Sequence, residues 1–554
     1  MVLAVVATLL PFHFEPQTVF LPEIATAAAL LGAVAMLRRG HGGVTLPLNV
    51  PTGILLVLLC ALIPHLANGR VLSYGLYLGL ALIALLAFHS SGSEGRDRWA
   101  SAFAVMMLAT ALAQALCAVL QLAGFPLGGL VMRKIFTLAY GNIGQANHYA
   151  DLIWLGLAGA VFLQARAIVG RGTFYGASAA LVLAGALSGS RGVWLYTAAF
   201  AVLGLRLRFA QADEARKFAR ALWWIACCSV VAQILVAQEA FMALLQITAA
   251  ADRLGDAGSN GQRLHDWAIA WEAARHHPWL GTGPGSFYSL SVEAAIAGPD
   301  KPFPMLAEHA HNLPFHLAAE LGLPAAVLFC ALLSGWFVVQ LCKDATAVRY
   351  LALCGLSVIG LHSLVEYPLW YTYFLVPAAL FLALADDGRA PVLHLPRLAI
   401  NGICVVGWLC LGWVLHDWIT VTHAQREWAE ASRATSIEKR LEIRRTLARV
   451  PDFSLFGAEA RNIEMRTWVA TQATAPAMAA MCDARWKHLP DWTVMINCAQ
   501  AYAASEQAAK LDQIMQALCR GFPRYHGLLR DWLETSPHLG GLDPTTRACL
   551  AEED

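Results

Sequence analysis

The chain has 554 residues, of which 58% are hydrophobic and only 14% charged, and its mean hydropathy is +0.53. A water-soluble domain carries about 25% charged residues, so a fully solvated surface is excluded, and the apolar and aromatic content excludes disorder. The formal charge of +1, from 39 Lys+Arg against 38 Asp+Glu, excludes the broad basic face of a nucleic-acid binder. An all-α, polytopic membrane protein remains.

Apolar stretches of membrane-crossing length fall near 18–37, 52–66, 72–90, 100–124, 148–168, 173–189, 192–206, 219–238, 313–341, 347–364, 368–385 and 398–416. Met1 to Phe12 is a shorter apolar run, a candidate thirteenth span that leaves the count at 12 or 13; it lacks the basic start and small-residue site of a cleaved signal peptide. Arginine and lysine gather in alternate loops, at Arg38 and Arg39, Arg96 and Arg98, Arg166 and Arg171, Arg206 to Arg220, Lys343 and Arg349, and Arg389 and Arg397. By the positive-inside rule these loops are cytoplasmic. The opposite face then holds 125–147, the Ser188-Gly-Ser-Arg-Gly192 turn, 239–312, the 363–368 turn and everything from residue 417 on. Two regions are expected: a transmembrane catalytic domain over 1–416, including the large outer loop 239–312, and a helical outer domain over 417–554.

The outer loops carry the chemistry-bearing residues, in chain order. Gly141-Asn-Ile-Gly-Gln-Ala-Asn147 offers the amides of Asn142, Gln145 and Asn147 to sugar hydroxyls or phosphate. Arg191 sits among small residues, where a guanidinium can bind phosphate oxygens in pairs; interfacial snorkelling is the bland alternative. Arg263 lies near the start of an amphipathic helix followed by Pro278-Trp-Leu-Gly-Thr-Gly-Pro-Gly285. That glycine run has no P-loop lysine and follows no strand, which disfavours a nucleotide. Trp267 and Trp271 on the same helix suit a membrane interface.

Glu308-His309-Ala310-His311-Asn312 stands at the junction of the large loop with the next span. A neutral imidazole there can take a proton from a hydroxyl; the alternative is a polar helix start capped by Asn312. Glu366 and Tyr367, in Glu366-Tyr-Pro-Leu-Trp370, share this face, and Glu366 could orient a histidine or simply be solvated. No Asp-x-Asp occurs in any outer loop, which disfavours metal-assisted transfer from a sugar nucleotide; no metal site or cofactor is expected.

Nine of the 13 cysteines lie in or beside apolar spans, as small packing residues. Cys482, Cys498, Cys519 and Cys549 lie in the outer tail, where two disulfides are possible. The tail reads as an amphipathic helix over 432–450 ended by Pro451, and two striped helices over 492–519 broken near Glu506. This resembles a helical-hairpin array without a full repeat consensus.

The Arg191 turn, the Arg263 helix with its Pro-Trp-x-Gly-x-Gly-x-Gly sequel, and His311-Asn312 resemble the O-antigen ligase/polymerase (Wzy-type) superfamily. There a His-Asn pair is followed nine residues on by Gly-x-x-Gly; this chain has Gly322-Leu-Pro-Ala325, with alanine for the second glycine. The 141–147 stretch, the 366–370 turn and the tail are similar to PglL-type protein O-oligosaccharyltransferases. The resemblance implies transfer of a preassembled glycan from undecaprenyl pyrophosphate to Ser/Thr hydroxyls of exported, pilin-like proteins. The reaction would run at the periplasmic face of a bacterial inner membrane, without metal. It makes His311 the base, Arg191 and Arg263 the pyrophosphate-binding residues, and Glu308, His309, Asn312 and the residues named above supporting groups. A ligase or polymerase acting on a lipid or polysaccharide is the alternative. A transporter is disfavoured, because transporter sites lie near the bilayer midplane and these polar residues gather at the outer edge.

Overall fold

The structure is a computed structural model that describes residues 2–15, 17–37, 44–90, 92–208, 210–254, 257–297, 306–386, 390–431, 436–488, 491–522 and 525–534. It is nearly all helical, as the composition predicts, and divides into two compact units. The first comprises 1–60, 76–256 and 328–412, and the second 61–75, 257–327 and 413–554. The start of the second unit's last segment lies close to the expected domain boundary, but that unit also takes in two earlier stretches of chain.

Five helices among the described residues are long and apolar enough to cross a membrane: Val71–His89, Glu94–Leu122, Asp213–Val236, Leu323–Cys342 and Arg397–Glu430. Shorter apolar helices include Phe20–Met36, Val50–His65, Gly192–Leu207, Ala347–Ser363 and Thr372–Ala385. The first apolar run forms only the short helix Val2–Leu9. The 313–341 stretch, expected as one span, is two helices, Leu313–Leu321 and Leu323–Cys342. Gly322 separates them at φ 88°, and a Cβ there would lie 2.4 Å from the Trp279 carbonyl oxygen. The Leu323 amide bonds instead to the Pro278 carbonyl at 2.8 Å, so the Pro278–Leu280 backbone packs directly against the break.

In the first unit, Ala146–Ala165 is the central helix, buried on almost every face. Gly156 and Gly159 let the Gly92–Leu122 helix approach closely: an added Cβ would fall 2.2 Å from Ala111 Cβ and 2.6 Å from the Ala104 carbonyl oxygen. Small residues at such spacing are how apolar helices associate where lipid removes the hydrophobic drive. A two-stranded antiparallel ladder, Val44–Pro47 with Val392–Leu395, is the non-helical element of this unit that the sequence reading did not foresee. The nine cysteines of the apolar stretches are free thiols.

The second unit contains Ala257–His276, Phe287–Ala297 and Leu313–Leu321 together with the tail helices Ile437–Leu447, Gly457–Arg466, Ala475–Arg485, Trp492–Ala504, Ala508–Gly521 and His526–Glu534. Ser436 and Asp491 cap two of these by accepting from Lys439 N and Val494 N, and each such cap contributes about 1 kcal/mol. The break within 492–519 falls at Glu506, φ 56°. Cys482 and Cys498 form a disulfide; Cys519 is also disulfide-bonded, and Cys549 lies outside the described residues. One apolar core joins tail and loop: Met478, Met495, Tyr502, Ile514 and Leu518 pack with Ile269, Phe287, Val292 and Ala310.

Candidate active site

In the second unit, His311 projects from a turn immediately before the Leu313–Leu321 helix, and its backbone takes φ 49°. A side chain in that left-handed region costs roughly 1–2 kcal/mol, and such outliers cluster at functional sites. The conformation is held from both sides. Asn312 caps the helix by accepting from Phe315 N at 3.1 Å, so the capping reading of Asn312 is correct and coexists with an exposed role for its neighbour. On the other side, the Ala310 amide donates to His316 Nδ1 at 3.4 Å.

His311 Nδ1 lies 3.0 Å from Asp266 Oδ2, with Asp266 fully buried and His311 23% exposed. An ionised carboxylate only accepts hydrogen bonds, so Nδ1 is the donor in this contact. The other Asp266 oxygen accepts from Gln262 Nε2 at 2.8 Å, which fixes the carboxylate's rotation. Arg263 is half-buried and precedes Asp266 by three residues on the Ala257–His276 helix, hence on the same face. Trp267 turns inward onto Phe315, centroids 5.9 Å apart, while Trp271 is 48% exposed. The two tryptophans therefore do different work, and only Trp271 keeps the interfacial exposure expected of both.

His309 does not share the outlook of His311. Its ring packs edge-on against His316 at 5.3 Å. Burial, reinforced by His316, His311 and the Arg70 guanidinium, holds the His309 imidazole well below its usual range. Glu308 is exposed beside it. Beneath lies Glu320, 1% exposed, which accepts from Tyr74 Oη at 2.6 Å, Gly285 N at 2.9 Å and Phe287 N at 3.1 Å, and pairs with His316 Nε2 at 3.3 Å. This carboxylate ties the glycine-rich turn, the 61–75 segment and the helix after His311 to one point.

In the first unit, Asn147, the Ser190-Arg191 turn and Glu366 come together. Ser190 Oγ donates to Asn147 Oδ1 at 2.8 Å, and Asn147 Nδ2 donates to Glu366 Oε1 at 3.4 Å. Arg191 is latched to a second arginine: its Nη1 donates to the Arg253 carbonyl at 3.3 Å, and Arg253 Nη1 donates to the Gly189 carbonyl at 3.0 Å. Tyr367 stacks on Tyr371, centroids 6.1 Å apart. Gln145 precedes the Ala146–Ala165 helix without a side-chain cap. Asn142 is 1% exposed and its amide is engaged within the protein, donating to Leu9 O at 2.7 Å and Leu130 O at 2.8 Å and accepting from Met132 N. It organises the 125–147 loop.

One turn inside the first unit's helix ends lies a cluster the sequence reading missed. Asp151 accepts from Tyr196 Oη at 2.5 Å and from His362 Nδ1 at 2.5 Å, all three within 2% of full burial. Each is a lone polar residue in an apolar stretch, and intramembrane ionisable groups survive only when paired in this way. Asp266, His316, Glu320 and Arg253 were likewise missed; for Asp266 the one available signal was its three-residue spacing from Arg263.

Residues 176–330 match the O-antigen ligase family, a stretch that contains Arg191, Arg263, Asp266 and His311. Residues 350–532 match the C-terminal region of the virulence factor membrane-bound polymerase family, and residues 139–163 match the protein glycosylation ligase family. The fold is that of a polytopic helical membrane protein, and the matches support a glycosyl-transferring enzyme that is similar to the O-antigen ligase family over residues 176–330. Within that class the chain is similar to the general O-oligosaccharyltransferase of Acinetobacter baylyi, 25% identical over 438 residues covering 75% of this chain and 74% of that protein. It is also similar to the ComP-specific O-oligosaccharyltransferase of the same organism, 25% identical over 242 residues, 43% of this chain and 42% of that one.

Proposed function

We propose that the protein transfers a preassembled oligosaccharide from undecaprenyl pyrophosphate to Ser or Thr hydroxyls of exported, pilin-like proteins, at the periplasmic face of a bacterial inner membrane. The observation that carries this reading is the buried Asp266 holding His311 Nδ1 at 3.0 Å, with Arg263 on the same helix face. The acceptor hydroxyl oxygen attacks the anomeric carbon while His311 Nε2 takes its proton, a contribution of typically 10²- to 10⁴-fold. The anomeric C–O bond breaks, and undecaprenyl pyrophosphate leaves with the bonding pair. Developing imidazolium charge is stabilised by Asp266, and charge on the leaving group by Arg263. A pyrophosphate is already a good leaving group, so the reaction needs no metal.

The protein glycosylation ligase match over residues 139–163 supports a protein acceptor; the O-antigen ligase match supports a second reading, transfer to a lipid or polysaccharide. The test uses purified enzyme, lipid-linked glycan, a pilin-like protein and EDTA, with intact-mass detection. Glycan-sized mass gain on the protein is expected. Modification of lipid A–core with none of protein would establish the second reading, and loss of activity on chelation would remove the metal-free mechanism.

A further inference from the structure

The glycine run 281–285 has a physical explanation that leads to a residue outside the motifs. Its three glycines take φ of 71°, 98° and 71°, and each faces a different neighbour. A Cβ on Gly281 would lie 2.4 Å from the Glu320 backbone, one on Gly283 would lie 3.2 Å from Asn68 Nδ2, and one on Gly285 would lie 2.9 Å from Arg70 Cγ. The 65–74 segment is strapped along this saddle. His65 Nε2 donates to Leu280 O at 2.9 Å, Asn68 Nδ2 donates to Pro284 O at 3.0 Å, and Tyr74 Oη donates to Glu320. Asn68 Oδ1 accepts from the Arg70 amide at 2.8 Å, which sets the backbone from which Arg70 departs. The Arg70 stem then crosses Gly285, and the guanidinium ends within electrostatic reach of His309, two residues from the candidate base. Its side chain is exposed and also lies within electrostatic reach of the Glu308 carboxylate.

We propose that Arg70 binds the pyrophosphate of the lipid-linked donor beside His311, held there by the glycine saddle. This rests on the functional reading above. A pyrophosphate diester carries two negative charges across two phosphorus centres, more than the Arg263 guanidinium of this unit can neutralise. Arg70, delivered by a strap from another loop, adds to Arg263 in this unit the planar, paired donors that phosphate oxygens favour. The structure thereby gives the 61–75 segment a ligand-binding role that its own sequence, with Arg70 as its single charged residue, does not announce.

The experiment measures inhibition and direct binding with glycan-free undecaprenyl pyrophosphate, undecaprenyl monophosphate and inorganic pyrophosphate, on full-length protein in nanodiscs. Arg70→Gln is expected to weaken undecaprenyl pyrophosphate binding by about tenfold to a hundredfold, the range for one charge-assisted contact. Arg70→Lys should recover only part of it, and monophosphate binding should change much less. The loss should persist in a Glu308→Gln background. Unchanged binding in Arg70→Gln, or a Glu308→Gln variant that reproduces the loss with no further effect in the double variant, would overturn the proposal. Equal, Arg70-dependent competition by inorganic pyrophosphate would reassign the ligand to the free anion. Wild-type protein that binds undecaprenyl pyrophosphate yet transfers no glycan would sink the functional reading while Arg70 is still judged by binding. Wild-type protein that binds none of the probes would overturn both.

Discussion

Asp266→Asn is the most discriminating substitution, because it preserves shape and changes only what the carboxylate can accept. In the wild type, Oδ1 takes the Gln262 amide proton and Oδ2 the His311 Nδ1 proton. In the variant, the single carbonyl oxygen stays with Gln262 Nε2, which leaves an NH₂ facing His311. That donor forces Nδ1 to become the acceptor and moves the imidazole proton to Nε2, where the base must be free. The lost interaction is one charge-assisted hydrogen bond, roughly 1.5–3 kcal/mol. At 1.36 kcal/mol per decade that is about a 10- to 150-fold fall in kcat. Donor KM should move by less than about threefold, since binding groups are untouched. The assay is initial-rate transfer by intact mass, with thermal unfolding as the control for folding. A second check is the Asp266→Asn, His311→Ala double variant, which should be no slower than His311→Ala alone. A kcat within twofold of wild type, at unchanged fold stability, would refute the assignment of Asp266 as the orienting carboxylate.

Other outcomes follow from the same geometry. Arg191→Lys and Arg263→Lys should each lower kcat/KM for the donor by about tenfold or more despite retained charge, because lysine has no planar fork; unchanged rates in both argue against paired recognition. Glu320→Gln replaces an acceptor of several donors and should destabilise the second unit by roughly 1.5–3 kcal/mol, read as a lower unfolding midpoint. Reducing the Cys482–Cys498 bridge, which closes a separation of 16 residues, should destabilise the tail by about 3 kcal/mol, seen as earlier unfolding in reductant. His309 is neutral in the folded state because burial depresses its pKa. Its contribution to stability is therefore full above the unfolded histidine value of about 6.5 and is lost as pH falls below that toward the depressed folded value. His309→Gln should flatten that acid limb.

Legibility in the sequence tracked locality. The apolar stretches, the tail helices with their break at Glu506, and the His311-Asn312 turn all announce themselves within a window of a few residues. The split at Gly322 did not, because Gly322-Leu-Pro324 sits inside an otherwise continuous apolar run; what forbids continuity is the Trp279 carbonyl, 43 residues upstream. Asp151, Tyr196 and His362 were invisible for a related reason. Each alone looks like a tolerated polar residue, and their partners are 45 and 211 positions away. Asn142 shows the converse error: an amide in a motif invites a ligand, yet its hydrogen-bonding capacity is taken up by the backbone of its own loop. Asp266 lay in plain view on a helix, but nothing local distinguishes an orienting carboxylate from a solvated one.

The apolar core shared by the tail and the 257–327 loop has a practical implication for engineering. Gly521 abuts Leu306 so tightly that a Cβ would lie 2.7 Å from its Cγ, and Arg520 Nη1 donates to the carbonyls of Ala295 and Ile296 at 3.2 and 3.1 Å. Truncating the tail at residue 417 would strip apolar cover from the helix that carries Asp266 and from Ala310 beside His311. Swapping tails at that junction exchanges only part of one folding unit. Chimeras that carry 61–75, 257–327 and the tail as a set keep both sides of this packing from one parent.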